Sequence, residues 1–293
     1  MKPIKGLGTA LITPFTATGE IDWPAFDRLL RLQIDGGVDF LVVLGTTAEA
    51  VTLTEDEKRQ VSRFVVERTK GTETGLVLGI GGNCTAAVTE TLRQWHDELL
   101  HYDAILSVCP FYNKPSQEGL YRHFIAVAEA SPVPVILYNV PGRTGVNLLS
   151  ETVMRLHQAC PQRIVGIKEA SGNMTQILHL LEERDRQGFS DTLSMLSGDD
   201  GLACSIMQAG GDGLISVLSN AWPEITGEIV HDCNSGQQER MQKMISLLFK
   251  EGSPAGIKTV LTQMRLIDNN LRLPLVPNSE AVQEEICAEM ARL

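Results

Sequence analysis

The sequence predicts an α/β protein, a (β/α)8 TIM barrel followed by a small C-terminal helical domain. Eight short apolar runs recur along the 293 residues, each bounded by Gly, Pro, Asn or Asp. Most of their starts are about 30 residues apart, which is the length of one βα repeat. Each run is continuously apolar rather than alternating, as is typical of strands buried on both faces of a parallel sheet.

The eight predicted strands share this pattern and follow one another in chain order. They are GLGTALITP from Gly6, FLVVLG from Phe40, GLVLGIGG from Gly75, AILSVCP from Ala104, PVILYNVP from Pro134, IVGIKEAS from Ile164, LSMLSGDD from Leu193 and GDGLISVLS from Gly211. A doubly wound open sheet is the alternative arrangement. It is disfavoured because neither Gly6-x-Gly8 nor Gly79-x-Gly81 has the third glycine of a dinucleotide-binding fingerprint.

Helical patterns fill the intervals between these runs. The clearest helix start is the capping box Thr54-Glu55-Asp56-Glu57, which precedes a predicted helix over 58–70 that closes at Gly71. Apolar residues spaced three and four apart predict further helices over 116–130, 173–187 and 201–209.

After residue 224 the strand-like runs stop, and helical patterns follow over 225–232, 237–250, 255–268 and 279–293. We therefore predict that the barrel occupies residues 1–224 and carries the active site. Residues 225–293 are predicted to form the helical domain. Pro274 and Pro277 mark a loop within it rather than a flexible linker.

Composition and charge exclude several classes of function. Asp and Glu number 36 against 25 Lys and Arg, and the formal charge of -11 argues against nucleic acid or an anionic membrane as partner. The six cysteines are scattered without a C-x-x-C pair, which indicates reduced thiols. No apolar run approaches the ~20 residues of a membrane span, and the N-terminal stretch is too short for a signal peptide. We therefore expect a cytoplasmic protein.

Lys168 is the most informative residue, because catalytic residues of a barrel gather at the C-terminal ends of its strands. It follows the apolar run 164–167 directly, in a strand that should be buried on both faces. Lysine is rarely buried without a partner, and desolvation favours the neutral amine that forms Schiff bases. A lysine that reaches solvent from the strand end, or pairs with a carboxylate such as that of Glu169, fits equally well. Both interpretations stay open at this point.

Tyr138 ends the preceding strand and is expected one inter-strand spacing of about 4.8 Å from Lys168. A phenol at that position could pass the protons that imine formation requires. A tyrosine in a strand more commonly packs against its neighbours, with its hydroxyl bound by a backbone group. Tyr138 therefore strengthens the Schiff-base interpretation without deciding it.

Two further segments at strand ends carry groups that bind carboxylates. Gly45-Thr46-Thr47 offers two hydroxyls and adjacent backbone N–H groups, although the same residues also form ordinary turns before helices. Arg143 lies in a Pro-Gly loop and could bind a second carboxylate through two hydrogen bonds. An exposed loop arginine without a function is the commoner case.

The sequence offers few residues at strand ends that could bind a metal ion. Asp199 and Asp200 suggest paired carboxylates, but Asp200 is more simply the N-cap of the following helix. All the histidines fall in predicted helices and none at a strand end: His96, His101, His123, His157, His179 and His231. A metal-dependent aldolase or hydrolase would therefore lack its ligands, and we expect no metal ion.

Three segments together resemble the dihydrodipicolinate synthase/N-acetylneuraminate lyase family over essentially the whole chain. They are Gly45-Thr46-Thr47-x-Glu49, Tyr138-Asn139-Val140-Pro141-x-Arg143-Thr144-Gly145 and Gly166-Ile167-Lys168-Glu169-Ala170. Lys168 and Tyr138 mark the family. The Arg143-Thr144-Gly145 loop and the segment Phe111-Tyr112-Asn113-Lys114-Pro115-Ser116 resemble its synthase branch.

The resemblance implies a condensation of pyruvate with aspartate 4-semialdehyde on the lysine and diaminopimelate pathway, without a cofactor. It implies that Lys168 forms the Schiff base with pyruvate and that Tyr138 moves protons. Thr46 would relay protons between Tyr138 and Tyr112. In the family this last tyrosine reaches in from a neighbouring subunit, so the resemblance also implies a homotetramer, a dimer of dimers.

The same resemblance implies three binding residues and shows one departure. Thr47 and the backbone of Ile215 would hold the pyruvyl group, and Arg143 the carboxylate of the semialdehyde. Ala48 stands where the family usually has glycine. If that glycine had a positive φ, an alanine there would cost about 1 kcal/mol and shift the threonines.

Two other functions compete with this one. A sibling lyase acting on N-acetylneuraminate or a 2-keto-3-deoxy sugar acid would share Lys168 and Tyr138 but would not need a cation at Arg143. A catalytically silent binding member of the fold would be expected to lose the lysine or the tyrosine, and this chain keeps both.

Overall fold

The eight predicted strands are present and close into a barrel. The structure is a computed structural model and describes residues 4–293. The strands are parallel and follow the order β1 to β8, so the (β/α)8 prediction is confirmed and the doubly wound alternative is wrong. They are β1 (Gly6–Ala10), β2 (Phe40–Val43), β3 (Gly75–Gly79), β4 (Ala104–Val108), β5 (Val135–Asn139), β6 (Ile164–Glu169), β7 (Ser194–Ser197) and β8 (Gly213–Ser216).

Helices occupy the intervals between the strands, and four more follow β8 within the described residues. Between the strands lie α1 (Trp23–Asp35), α2 (Glu55–Thr69), α3 (Thr85–Gln94), α4 (His96–Leu99), α5 (Gln117–Ala130), α6 (Pro141–Thr144), α7 (Ser150–Ala159), α8 (Met174–Arg186) and α9 (Ala203–Gln208). After β8 follow α10 (Pro223–His231), α11 (Ser235–Phe249), α12 (Ala255–Gln263) and α13 (Glu280–Met290).

The strands are mostly apolar because both of their faces are covered. Every residue of β2, β5, β7 and β8 is buried. Polar residues in such strands are therefore exceptions that need a partner or a function. In β5 and β6 these exceptions are Tyr138 with Asn139 and Lys168 with Glu169, at the carboxyl ends of the strands.

The helix starts agree with the sequence signals to within a few residues. Thr54 and Glu57 form the predicted capping box, but α2 begins at Glu55 because the box residues themselves make its first turn. Asp199, not Asp200, is the capping residue after β7, since its carboxylate accepts a hydrogen bond from the Gly201 N–H. Asp200 instead begins a short 3-10 helix.

Two other expectations from the sequence need correction. The predicted helix over 255–268 ends early, at Gln263, because Arg265 takes a left-handed conformation with φ of 60°. His101 lies in a turn before β4 rather than in a helix.

The described chain forms two compact units. One comprises Gly75–Ile215 with residues 4–6, and the other comprises Leu7–Thr74 with Ser216–Leu293. In the second unit α11, α12 and α13 pack against one another. The predicted boundary between residues 1–224 and 225–293 stays a prediction.

No helix within residues 4–293 has the length and apolar character that crossing a membrane requires. None of the six cysteines forms a disulfide.

Candidate active site

Lys168 is buried at the carboxyl end of β6 with no anion beside it. Only 7% of the residue is exposed, and its Cα is the register partner of the Tyr138 Cα on β5. The ammonium Nζ lies 4.4 Å from the centroid of the Tyr138 ring. Within residues 4–293 it has no hydrogen bond and no ion pair. The Lys168 nitrogen is therefore held against an aromatic face, with no hydrogen bond or ion pair from another described residue.

Gly198 gives the Lys168 side chain its room. A Cβ added at Gly198 would lie 2.9 Å from Cε and 3.2 Å from Cγ of Lys168, which is closer than packed carbons approach. The glycine at the end of β7 therefore allows the lysine stem to cross it. A larger residue there would also meet the Ala170 Cβ at 2.6 Å, so the side chain of Lys168 or the backbone at Ala170 would have to shift.

Glu169 does not pair with Lys168, although the sequence allowed that pairing. Its carboxylate accepts hydrogen bonds from the Asn139 amide at 2.9 Å, the Gln176 amide at 3.2 Å and the Ser171 N–H at 2.7 Å. Successive side chains of a strand point to opposite faces, so Glu169 points away from the lysine. The interpretation of Lys168 as one half of an ion pair with Glu169 is wrong.

The Tyr138 hydroxyl also has no hydrogen-bond partner among residues 4–293. The Tyr138 side chain is 7% exposed, and in the described part of the chain no group hydrogen-bonds its hydroxyl. Its backbone carbonyl accepts from the Cys109 N–H at 3.0 Å. A tyrosine in a purely structural role would normally satisfy its hydroxyl when buried. This hydroxyl has no such partner in the described chain, and its ring faces the lysine nitrogen.

Arg143 lies on a helical turn rather than in the predicted irregular loop. The turn is α6, which begins at Pro141 and is closed by Gly145 in a left-handed conformation with φ of 71°. Arg143 is exposed, and its guanidinium has no partner in the described residues. A free guanidinium held on a short rigid turn can bind a carboxylate through two parallel hydrogen bonds.

Tyr112 is the most exposed aromatic residue of the described chain. Its side chain is 88% exposed, and its backbone is left-handed with φ of 73°. The Tyr112 N–H donates to the carbonyl of Thr144, at the end of α6, at 3.2 Å. The protein thus ties the segment that carries Tyr112 to the turn that carries Arg143.

Thr46 and Thr47 lie in the other compact unit, in a 3-10 turn directly after β2. Thr47 is 6% exposed, Thr46 is exposed, and neither hydroxyl has a partner among residues 4–293. The departure at Ala48 causes no backbone strain, because the residue with positive φ is Glu49, at 54°. The position of both threonines relative to Lys168 stays a prediction, as does the role of buried Ile215 on β8.

A second buried lysine escaped the sequence reasoning. The Nζ of Lys258, on α12, donates to Glu49 Oε1 at 2.5 Å and to the Asn270 carbonyl at 2.9 Å. The other Glu49 oxygen accepts from the Arg272 N–H at 3.0 Å. Burial lowers the pKa of Lys258 to about 8, against the opposing effect of the Glu49 charge. The sequence feature that could have identified Lys258 is the same one that identified Lys168, namely a lysine inside an apolar run.

The described residues contain no cluster of three or more His, Cys, Asp or Glu arranged to hold a metal ion. The side chains that the site itself offers for chemistry are an amine, a phenol and a guanidinium.

The closed eight-stranded barrel, with a buried lysine facing a tyrosine ring at neighbouring strand ends, places this chain in the class of (β/α)8 enzymes. A model of the Dihydrodipicolinate synthetase family matches residues 3–292, and the chain belongs to that family.

Known relatives agree with this assignment over nearly their whole length. The 4-hydroxy-tetrahydrodipicolinate synthase of Parabacteroides distasonis is 44% identical, over 97% of this chain and 95% of the relative. A crystal structure of dihydrodipicolinate synthase from Thermotoga maritima is similar with a TM-score of 0.92 at 37% identity, covering 99% of each chain. The chloride-inhibited dihydrodipicolinate synthase from Acinetobacter baumannii, complexed with pyruvate, is similar with a TM-score of 0.91 at 35% identity, covering 98% of each.

Proposed function

We propose that this protein catalyses the reaction for which its relatives are named, the condensation of pyruvate with L-aspartate 4-semialdehyde to 4-hydroxy-tetrahydrodipicolinate. The reaction supplies lysine and diaminopimelate biosynthesis. The observation that carries the proposal is Lys168, a buried amine that faces the Tyr138 ring and has no anionic partner in the described chain.

The first step forms a Schiff base. The Lys168 nitrogen attacks the ketone carbon of pyruvate to give a carbinolamine, which loses one water to become the imine. Protons must move between nitrogen and oxygen in both halves of this step. We assign this proton transfer to the Tyr138 hydroxyl, because its ring faces the Lys168 nitrogen and the hydroxyl has no hydrogen-bond partner among residues 4–293.

The second step makes the carbon–carbon bond. Loss of a proton from the pyruvyl methyl group gives an enamine, whose carbon attacks the aldehyde carbon of the semialdehyde. The amino group of the semialdehyde then attacks the imine carbon, which closes the ring and releases Lys168 as the free amine. The protonated imine nitrogen accepts the electron pair when the enamine forms, so this step requires no metal ion or organic cofactor.

Five more residues complete the proposed site. Thr47 and the backbone of Ile215 hold the pyruvyl group, and Arg143 binds the carboxylate of the semialdehyde. Thr46 relays protons between Tyr138 and Tyr112. The exposed and unpartnered Arg143 guanidinium supports its role, because nothing in the described chain competes with an incoming carboxylate.

We also propose a cytoplasmic homotetramer, a dimer of dimers, in which Tyr112 serves the site of a neighbouring subunit. The 88% exposure of Tyr112 supports this arrangement, since the residue is accessible to a second chain. The six free cysteines fit a reducing compartment.

Borohydride trapping tests the proposal directly. With pyruvate present, reduction should leave a pyruvyl adduct on the peptide that contains Lys168. The wild-type enzyme should then lose activity, and EDTA should not change the rate of the untreated enzyme. Lys114, on an exposed loop, and Lys258, paired with Glu49, serve as internal controls and should remain unlabelled.

The substrate assignment needs its own assay. Initial rates with pyruvate plus aspartate semialdehyde should be compared with cleavage of N-acetylneuraminate and of a 2-keto-3-deoxy sugar acid. Condensation alone supports the proposal. Trapping at Lys168 with cleavage and no condensation would make the protein a sibling lyase, and absence of any adduct would make it a silent member of the fold.

A further inference from the structure

Glu169 is a buried carboxylate with no cation to balance it. Only 1% of the residue is exposed, and its three hydrogen-bond donors are two side-chain amides and one backbone N–H. In the described chain it forms no ion pair. Burying an anion without a cation is costly unless neutral donors occupy its lone pairs. The role of Glu169 should therefore be sought in the groups that donate hydrogen bonds to it.

Asn139 is the central partner of this carboxylate, and it is fully buried. Its amide nitrogen donates to Glu169 Oε2 at 2.9 Å and to Asn147 Oδ1 at 2.8 Å. Its amide oxygen accepts from the Leu148 N–H at 2.9 Å. Asn139 therefore joins the end of β5 to the end of β6 and to the segment that follows α6.

The strand register relates these residues to the site. Tyr138 pairs with Lys168, and the next pair along the two strands is Asn139 with Glu169. Alternation along a strand places Tyr138 and Lys168 on one face of the sheet and their two neighbours on the other. The contact between Asn139 and Glu169 thus lies on the opposite face of the sheet from Tyr138 and Lys168. It joins the same two strand ends.

Two more amides extend the contact to the Arg143 turn and to α8. Asn147, four residues after Arg143, donates to Gln176 Oε1 at 2.7 Å. Gln176, in the first turn of α8, donates to Glu169 Oε2 at 3.2 Å. We call Asn139, Asn147, Glu169 and Gln176 the amide–carboxylate network.

We propose that Glu169 is a positioning residue, which acts through the amide–carboxylate network to fix the relative positions of Lys168, Tyr138 and the Arg143 turn. The inference rests on the proposed function for its kinetic consequence. Glu169 does not touch the reacting atoms. It determines where the groups that do touch them are held.

The network requires a carboxylate and not merely a polar group of the same size. Both Glu169 oxygens accept hydrogen bonds, one from two side-chain amides and the other from the Ser171 N–H. A glutamine places its NH2 group at one of these two positions, where it meets an N–H donor. Glu169→Gln therefore breaks the network although it preserves the shape of the side chain.

Exchanging the carboxylate and the amide between positions 169 and 139 should restore the contact between the two strand ends. In the double variant Glu169→Gln, Asn139→Asp, the carboxylate lies on β5 and the amide on β6. The NH2 group of the glutamine on β6 then donates to the aspartate on β5, while the glutamine oxygen still accepts from the Ser171 N–H. The amides of Asn147 and Gln176 can rotate to exchange donor and acceptor. The contact between the two strand ends is thereby restored with its direction reversed.

The test measures the rate of borohydride-trapped imine formation together with kcat and KM for pyruvate. Glu169→Gln should slow imine formation on the order of 10- to 100-fold, because small misplacements of reacting groups have effects of this size. The fall should appear in kcat more than in KM. The double variant should recover at least part of the rate. Glu182→Gln, an exposed carboxylate on α8, is the matched control and should behave as wild type.

The outcomes separate this inference from the proposed function. Failure of the wild type to form any adduct contradicts the proposed function. A folded Glu169→Gln that forms the imine at the wild-type rate contradicts the inference, as does a slow single variant whose double variant folds but recovers nothing. If Glu169→Gln does not fold, Gln176→Met removes one donor to the same carboxylate and takes its place, with the same rate criterion. A crystal structure of the folded variant gives a substrate-independent measurement, the distance of Lys168 Nζ from the Tyr138 ring, which should increase from 4.4 Å.

Discussion

At the scale of single residues, the two buried lysines differ in what surrounds the ammonium group. The ammonium of Lys258 donates hydrogen bonds to a carboxylate and a carbonyl, so its nitrogen would have to give up both partners before it could reach a substrate. The ammonium of Lys168 has an aromatic ring beside it and no anion in the described chain. A cation–π contact of this kind is weaker than a buried ion pair, so the Lys168 nitrogen is held less tightly than the Lys258 nitrogen.

Arg143 should matter for the second substrate and not for the first. Removing a charge-assisted, bidentate contact in Arg143→Ala costs about 2–3 kcal/mol, on the order of 30- to 150-fold in kcat/KM for the semialdehyde. Imine formation with pyruvate should persist, and Arg93→Ala, an exposed arginine on α3, should change neither value. If trapping with pyruvate collapsed together with kcat/KM, Arg143 would serve pyruvate or the fold instead.

At the scale of elements, the strands were predictable because a parallel barrel buries both faces of each strand. That requirement leaves continuous apolar runs in the sequence. The start of α2 was predictable from its capping box, and Thr54 accepts the expected backbone hydrogen bond. Ser116 and Asn173, which the sequence pattern placed inside helices, are the capping residues before α5 and α8. The end of α12 was not predictable from the sequence, because no glycine marks it and the residue in the left-handed conformation is Arg265.

One helix carries a group that should make stability depend on pH. His123 on α5 is buried, with its Nδ1 2.9 Å from the Thr85 hydroxyl and its Nε2 without a partner in the described chain. Burial disfavours the charged ring and lowers the pKa of His123 from 6.5 to about 4. Between these values the unfolded chain binds more protons than the folded one, so the free energy of unfolding falls as the pH falls.

His123→Gln should therefore reduce the loss of stability in acid. The contribution of this ring is at most about 3 kcal/mol between pH 6.5 and pH 4. Thermal denaturation at about pH 7 and about pH 4.5 measures it as a difference in Tm. The drop in Tm should be several degrees smaller in His123→Gln than in wild type, and unchanged in His101→Gln, whose ring is exposed in a turn. Equal drops in all three proteins would assign the acid sensitivity to other groups.

At the scale of the whole molecule, strand order was predictable from the sequence, whereas the contacts that hold buried charged side chains were not. The pairing of Tyr138 with Lys168 was predictable from strand order, and the register confirms it. No local pattern predicts that Glu49 meets a lysine 209 residues later, or that Glu169 is surrounded by amides. Such contacts depend on how distant segments pack, which periodicity and motif spacing do not record.

The assembly of subunits is the remaining whole-molecule feature with a sharp test. If Tyr112 completes the site of a neighbouring subunit, each active site combines Lys168 of one chain with Tyr112 of another. Chains carrying Tyr112→Phe lack the relay hydroxyl, and chains carrying Lys168→Ala lack the amine, so each alone should be inactive. A hybrid dimer of the two contains one site with both groups intact.

Mixing the two inactive variants should therefore restore part of the wild-type rate. Subunit exchange is verified first, by native mass spectrometry of chains that carry different tags. The matched control mixes Tyr112→Phe with a chain carrying both substitutions, where no hybrid holds an intact pair, and it should remain inactive. Recovery of activity in the first mixture but not in the control mixture would establish that Tyr112 acts across the interface. Absence of recovery after confirmed exchange would place Tyr112 in the site of its own chain or outside the relay, and its 88% exposure would then need another explanation.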